Sequence, residues 1–246
     1  MLPDQAHGLR RLFTHRAARM LGVVGEDAAG LVVELARAFA ALSLRVLIVD
    51  RTCGEVARAL GLKARYELRH ALAGDRTLAQ VALDGPDGIV VLPAARALAE
   101  LDAATPADAQ AACEHIDAAL GPFDLMLVNG VPLALPDAGV LLTLSPTSAA
   151  LTLAYTELKR LSRKGHPRRC EIVIQNARTE AAAMDAFDSV ALTAGRFLGM
   201  TLALAGTLPA APAHAGTTDS PRSRATLCVA ERLVTEPVPG RRAVNH

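Results

Sequence analysis

MLGVVGEDAAGLVVELARAFAALSLRVLIVD, residues 20–50, is the stretch that decides the fold. Met20–Val24 is an apolar run too short for a helix, so it reads as a buried strand. Ala28–Leu42 then places Leu31, Leu35, Ala38, Phe39 and Leu42 three or four apart, which lines them along one helical stripe. Arg45–Asp50 (RVLIVD) returns to a continuous apolar run ending on a carboxylate. Strands apolar on both faces, joined by an amphipathic helix, are the signature of parallel strands covered on two sides.

The alternation continues outward. Ile89–Leu92, Asp124–Asn129, Val140–Leu144, Glu171–Gln175 and Thr201–Leu208 read as further strands, and about 106–120, 147–163 and 180–197 as helices. The expected fold class is therefore α/β, a doubly wound, mostly parallel sheet with helices on both faces. Residues 1–17 form an amphipathic leader and 18–209 the α/β domain. Residues 210–246 then hold a linker (AAPAHAGTTDSPRS, 210–223), a short helix over 223–234 with Leu227, Ala230 and Leu233 at threes, and a Pro/Gly/Arg tail.

Composition narrows the class of function. Of 246 residues 51% are hydrophobic but only 3% aromatic, so the core must be built from Ala, Leu and Val. A formal net charge of +1 provides no overall field for nucleic acid or an acidic membrane, and no nucleic acid partner is expected. Cys53, Cys113, Cys170 and Cys228 lie far apart without a CxxC pair, and the seven histidines are scattered, so no metal site is expected. Reduced thiols, no signal-peptide pattern and no apolar run of membrane-spanning length point to a cytoplasmic protein. The dense basic run Lys159–Arg169 (KRLSRKGHPRR) ends a helix, where cations favour the negative dipole end; it reads as a solvated terminus or a docking patch.

In a doubly wound sheet the turn after the first strand meets the ligand, because the next helix presents free N–H groups there. Residues 22–29 (GVVGEDAA) occupy that turn. On physical grounds this is a strand-to-helix turn with Asp27 as N-cap and acidic groups beside the positive helix end.

The pattern resembles the MinD/ParA family of P-loop ATPases, and among them the flagellar-number regulators (FlhG/FleN), whose loop reads GKGGxGKT. Besides the loop, the likeness is carried by LVVELARAFAALSLRVLIVD, GLKARYELRHALAGDRTLAQV, LSRKG at 161–165 and DSPRSRATLCVAERL near the C-terminus. It implies an ATP/Mg²⁺ site of which Gly22, Gly25, Asp50, Asn129 and Asn176 are the remnant. In this alignment Val23 stands at the signature lysine, Val24 and Asp27 at glycines, Ala28 at the phosphate lysine and Ala29 at the magnesium-binding hydroxyl. Thr52 replaces a second acidic residue, and Asn129 the aspartate that steadies magnesium; Asn176 and Pro209 match the base pocket. Losing the lysine removes a charge-assisted hydrogen bond of about 1.5–3 kcal/mol. A carboxylate about 5 Å from a phosphate charge, at an effective dielectric near 20, adds roughly 3 kcal/mol of repulsion. The expectation is a degenerate site with no ATP or Mg²⁺ cofactor and no catalytic residue, a pseudo-ATPase.

Residues 4–10, DQAHGLR, resemble the DQAxxLR segment with which the flagellar regulators stimulate FlhF, the flagellar GTPase of signal-recognition-particle (SRP) type. Asp4, Gln5, Ala6, Leu9 and Arg10 match. Leu2, Ala6, Leu9 and Phe13 fall on one helical face, so the leader reads as a partner-binding helix, or one packing on its own domain. The resemblance thus implies a regulator of flagellar number or placement, partnered by that GTPase and by flagellar assembly or regulatory proteins. Peripheral contact with the inner face of the membrane through the helix at 223–234 stands beside self-packing. The alternative is a weak MinD/ParA-type ATPase that positions cargo on a membrane or chromosome.

Overall fold

The computed structural model describes residues 18–102, 105–133, 138–163, 169–210 and 220–235. Eight strands form one sheet: β1 (Arg19–Gly25), β2 (Val46–Asp50), β3 (Leu83–Asp84), β4 (Val90–Pro93), β5 (Leu125–Asn129), β6 (Gly139–Leu144), β7 (Arg169–Gln175) and β8 (Thr201–Leu208). Their order is β3-β4-β2-β5-β1-β6-β7-β8, parallel throughout except for the short antiparallel β3 at one edge. The doubly wound α/β expectation holds. Consecutive residues of each strand serve opposite faces: Ile48 and Leu127 enter one core, Leu47 and Met126 another.

The helices are α1 (Ala28–Ala41), α2 (Glu55–Ala59), α3 (Leu68–Leu72), α4 (Leu78–Val81), α5 (Ala95–Leu101), α6 (Pro106–Leu120), α7 (Ser148–Arg163), α8 (Glu180–Leu198) and α9 (Pro221–Thr235). Helix α1 buries Leu31, Leu35 and Phe39 on the sheet, each contributing about 1.5–3 kcal/mol by leaving water. It stops where Ser43 turns left-handed (φ 62°), with Leu44 N–H bonded to Phe39 O and Ser43 N–H to Ala40 O. Those two bonds satisfy carbonyls that the helix end would otherwise orphan. Helix α6 begins as its residues dictate, with Pro106 in the first turn and the Thr105 hydroxyl accepting the Asp108 N–H at 3.2 Å.

One boundary differs from the sequence reading. Ser220 and Pro221–Ser223, read as linker, belong to the folded domain, because α9 starts at Pro221 and the Arg222 side chain is buried. Helix α9 then lays Val229, Ala230 and Leu233 on α1 and β8, and Gly206 leaves the space that Val229 occupies. Those three apolar residues are therefore spent inside the molecule, as the self-packing alternative requires. Among the described residues no helix is long and apolar enough to cross a membrane. The leader with Asp4, Gln5, Ala6, Leu9 and Arg10, residues 211–219 of the linker and residues 164–168 of the basic run lie outside the described residues.

Candidate functional site

The chain goes from β1 to β2 on one side and places β6 on the other, so the strand order reverses beside β1. Ligands of doubly wound sheets bind at the carboxyl ends of the strands at such a reversal. Four of the five expected remnant residues do come to that edge: Gly25 ends β1, Asp50 ends β2, Asn129 ends β5 and Asn176 follows β7.

The fifth, Gly22, does not. β1 stays paired through Gly25, with Gly22 opposite Val140 and Gly25 opposite Thr143 on β6, and Val23 opposite Asn129 on β5. Val23 and Val24 are buried core residues rather than loop residues. Gly22 is a mid-strand residue whose missing Cβ makes room for the Pro132 side chain. The physical reason is that two β-branched side chains favour extended backbone and gain more in the core than in an exposed loop. Gly22, matched by sequence to the first glycine of a phosphate loop, is here a strand residue together with Val23 and Val24. The connection from β1 to α1 is only Glu26 and Asp27.

That short turn is tightly held. Gly25 sits at φ 108°, where a Cβ would overlap the Thr143 carbonyl oxygen, so glycine is required. The Glu26 N–H continues the ladder to Thr143 O at 3.0 Å, and the Glu26 carboxylate accepts the Ser145 N–H at 2.8 Å. Asp27 precedes the first turn of α1 in left-handed conformation (φ 50°) and its side chain makes no capping hydrogen bond, contrary to the expected N-cap. Its carboxylate instead lies against Gly30, 2.6–2.7 Å from where a Cβ would stand, which keeps a negative charge beside the positive helix end.

Further along the edge, Asp50 is fully buried and its carboxylate accepts four donors. They are the Thr52 hydroxyl (2.6 Å), Thr52 N–H (2.9 Å), the Asn129 amide (3.2 Å) and Val56 N–H (3.3 Å). Asn129 also donates to the Thr52 hydroxyl at 3.3 Å. Asp50, Thr52 and Asn129 are thus brought together, and they spend their hydrogen bonds on one another and on fixing the start of α2. Arg51 points away and ties the carbonyl of Val131 (2.6 Å) to the Asp102 carboxylate (2.8 Å).

On the other side of β1 lies a second polar network that the sequence reading missed. The Gln175 amide donates to the Thr143 hydroxyl at 2.6 Å and to the Glu26 carbonyl at 3.4 Å. Arg222 of α9, only 5% exposed, donates to the Gln175 side-chain oxygen, to Pro209 O at 2.7 Å and to both Glu34 oxygens at 2.7 and 2.9 Å. Pro209, expected at a base pocket, is therefore engaged by the chain itself. Asn176 is exposed and left-handed (φ 58°), with its N–H bonded to Leu208 O at 2.9 Å. It does not cap the next helix, a role taken by Thr179, whose hydroxyl accepts the Ala182 N–H at 3.1 Å.

The fold is similar to that of solved MinD-, ParA- and McdA-type proteins. It is similar to a chain of the MinC:MinD cell division protein complex of Aquifex aeolicus at TM-score 0.67 and 18% identity, over 92% of this chain and 99% of that one. Aquifex aeolicus MinD by itself gives TM-score 0.64 and 18% identity over 92% and 100%. McdA of Cyanothece in complex with ATP gives 0.57 and 13% over 90% and 98%. No protein-family model matches the chain, and no curated protein matches it in sequence. At these identities what is shared is the fold.

Proposed function

We propose that this chain is a regulator that acts by protein interaction, in which a MinD/ParA-type domain serves as a scaffold without a working ATP site. The observation that carries this reading is the turn Glu26–Asp27: two residues, both acidic, join β1 to α1, and one carboxylate already holds the Ser145 N–H. A polyphosphate needs several loop N–H groups and a cation around it, whereas this turn offers two carboxylates. Its neighbours are also committed, since Asp50 and Asn129 are paired to each other.

With nucleotide exchange set aside, the working contact is assigned to the leader. Asp4, Gln5, Ala6, Leu9 and Arg10 would engage an SRP-type flagellar GTPase, with Gln5 positioning a water or a phosphate oxygen in the partner's site. The chain would so regulate flagellar number or placement from the cytoplasm. That the similar Aquifex aeolicus MinD is found in a complex with MinC supports protein interaction as a use of this fold.

Two measurements test the proposal, the first on the full chain and the second on a leader peptide. Titration with labelled ATP and Mg²⁺ is expected to show no binding in the submicromolar range; saturable binding there refutes the scaffold reading. A peptide of residues 1–17 is expected to stimulate turnover by the flagellar GTPase, and Gln5→Ala to abolish the effect. ATP turnover by the chain with no such stimulation supports the cargo-positioning ATPase instead.

A further inference from the structure

Residues 63–76 concentrate positive charge, and the fold gathers part of it around Tyr66. Lys63, Arg65, Arg69 and Arg76 face only Glu67 and Asp75 in this segment, within a chain whose formal charge is +1. Glu67 is mostly covered: one of its oxygens accepts the Arg96 N–H at 3.1 Å at the start of α5, and the other lies 3.8 Å from the Arg69 guanidinium, so the Arg69 charge is partly offset while its side chain stays about half exposed. The Arg96 contact also places the segment past the end of β4, on the sheet edge that carries the candidate site.

Tyr66 organises the cluster. The Arg76 guanidinium lies over its ring at 4.7 Å and donates to its hydroxyl oxygen at 3.2 Å, while the His70 ring meets its edge at 5.6 Å. The Arg76 hydrogen bond first, then the charges of Arg76 and Arg65, holds the Tyr66 hydroxyl below the ordinary phenol range. Because the phenol oxygen accepts from Arg76, its own proton is left to donate outward. Lys63 and Arg65 have no ion-pair partner among the described residues, and Leu72, in the same segment, is half exposed.

We propose that Lys63, Arg65, Tyr66, Arg69, Leu72 and Arg76 form a docking surface for an acidic segment of a partner protein. The Tyr66 hydroxyl and the Arg65 and Arg76 guanidiniums supply donors suited to carboxylates. A single exposed leucine is too little apolar area for a lipid surface. The ring face of Tyr66 is taken by Arg76, so it offers no platform for a nucleic acid base. These residues are different from those of the leader and of the β1–α1 turn, so the variants that test them leave both unchanged in sequence.

The experiment uses the full chain and a fluorescein-labelled decaglutamate peptide, followed by anisotropy at low ionic strength, with decaglutamine as the uncharged control. Binding of decaglutamate alone is expected, weakened about tenfold in Arg65→Ala/Arg76→Ala and about threefold in Tyr66→Phe. Arg65→Gln, which removes no hydrogen bond seen within the fold, is expected to weaken binding with an unchanged unfolding midpoint. Equal binding by wild type and these variants overturns the proposal. So does tighter binding of phosphatidylglycerol vesicles or of a single-stranded oligonucleotide with the same residue dependence.

Discussion

Arg222→Ala should be among the most damaging single changes to this domain. The guanidinium bridges Glu34 on α1, Gln175 at the end of β7 and Pro209 after β8, so its loss unties α9 from three elements. Breaking a buried ion pair from one side costs about 3–5 kcal/mol. Here Glu34 keeps 31% of its side chain exposed and regains some hydration, which argues for the lower end for the pair. The Gln175 oxygen is buried and would be left without its partner, adding about 1 kcal/mol or more. The sum is about 4 kcal/mol, or roughly 8–16 °C in unfolding midpoint for a chain of this size. Urea unfolding by circular dichroism measures it, and a double-mutant cycle with Glu34→Gln should return a coupling of about 1.5 kcal/mol or more. A loss below about 1 kcal/mol for the single variant, or a coupling near zero, would show that the network contributes no net stability. The exposed Arg37–Asp87 pair, 4.0 Å apart, is the control, and its removal should change little.

Gly25→Ala must take φ 108° with a side chain that overlaps Thr143 O, so a loss of about 2 kcal/mol or more is expected in the same unfolding assay. Asn129→Asp would set a second carboxylate about where the amide now donates to Asp50 at 3.2 Å. One of two buried like charges then has its pKa raised, so the variant should be destabilised by about 2–4 kcal/mol at pH 7 and regain stability as the pH falls and that group protonates, seen in melting curves from pH 7 to 4. Thiol labelling at pH 8 should find Cys53 and Cys228 fast. Cys170 and Cys113 should be slow until urea is added, because burial pushes their thiols up to about 12 and about 11 and keeps them neutral.

Long elements were legible because their residues repeat a signal. Leu31, Leu35 and Phe39 mark α1, and the helix read over about 106–120 is α6. The short helices α2–α5 were not, since four to seven residues hold too little of a 3.6-residue period to register. Their local clues are capping residues such as Thr77, whose hydroxyl accepts the Gln80 N–H at 3.3 Å to start α4. Arg222 was invisible for another reason. Its partners Glu34 and Gln175 are distant in sequence, and a lone arginine in a Pro/Ser-rich stretch looks solvated until α9 is seen on α1.

The candidate site shows how two signals in one stretch compete. Val23 and Val24 satisfy the strand pattern that begins at Met20, while Gly22 and Gly25 satisfy two positions of a phosphate loop, and no backbone can serve both. The hydrophobic term decides it: two valines in the core are worth about 3 kcal/mol or more together. An unoccupied loop would leave them in water. Once β1 runs on to Gly25, only Glu26 and Asp27 remain to reach α1, and Gly25 must turn left-handed to do so. The Glu26 carboxylate then reaches Ser145 N–H at the end of β6, so the N–H that an anion would seek already has one from within the chain. The acidic residues that looked like damage to a nucleotide site are, in this geometry, the groups that close the turn.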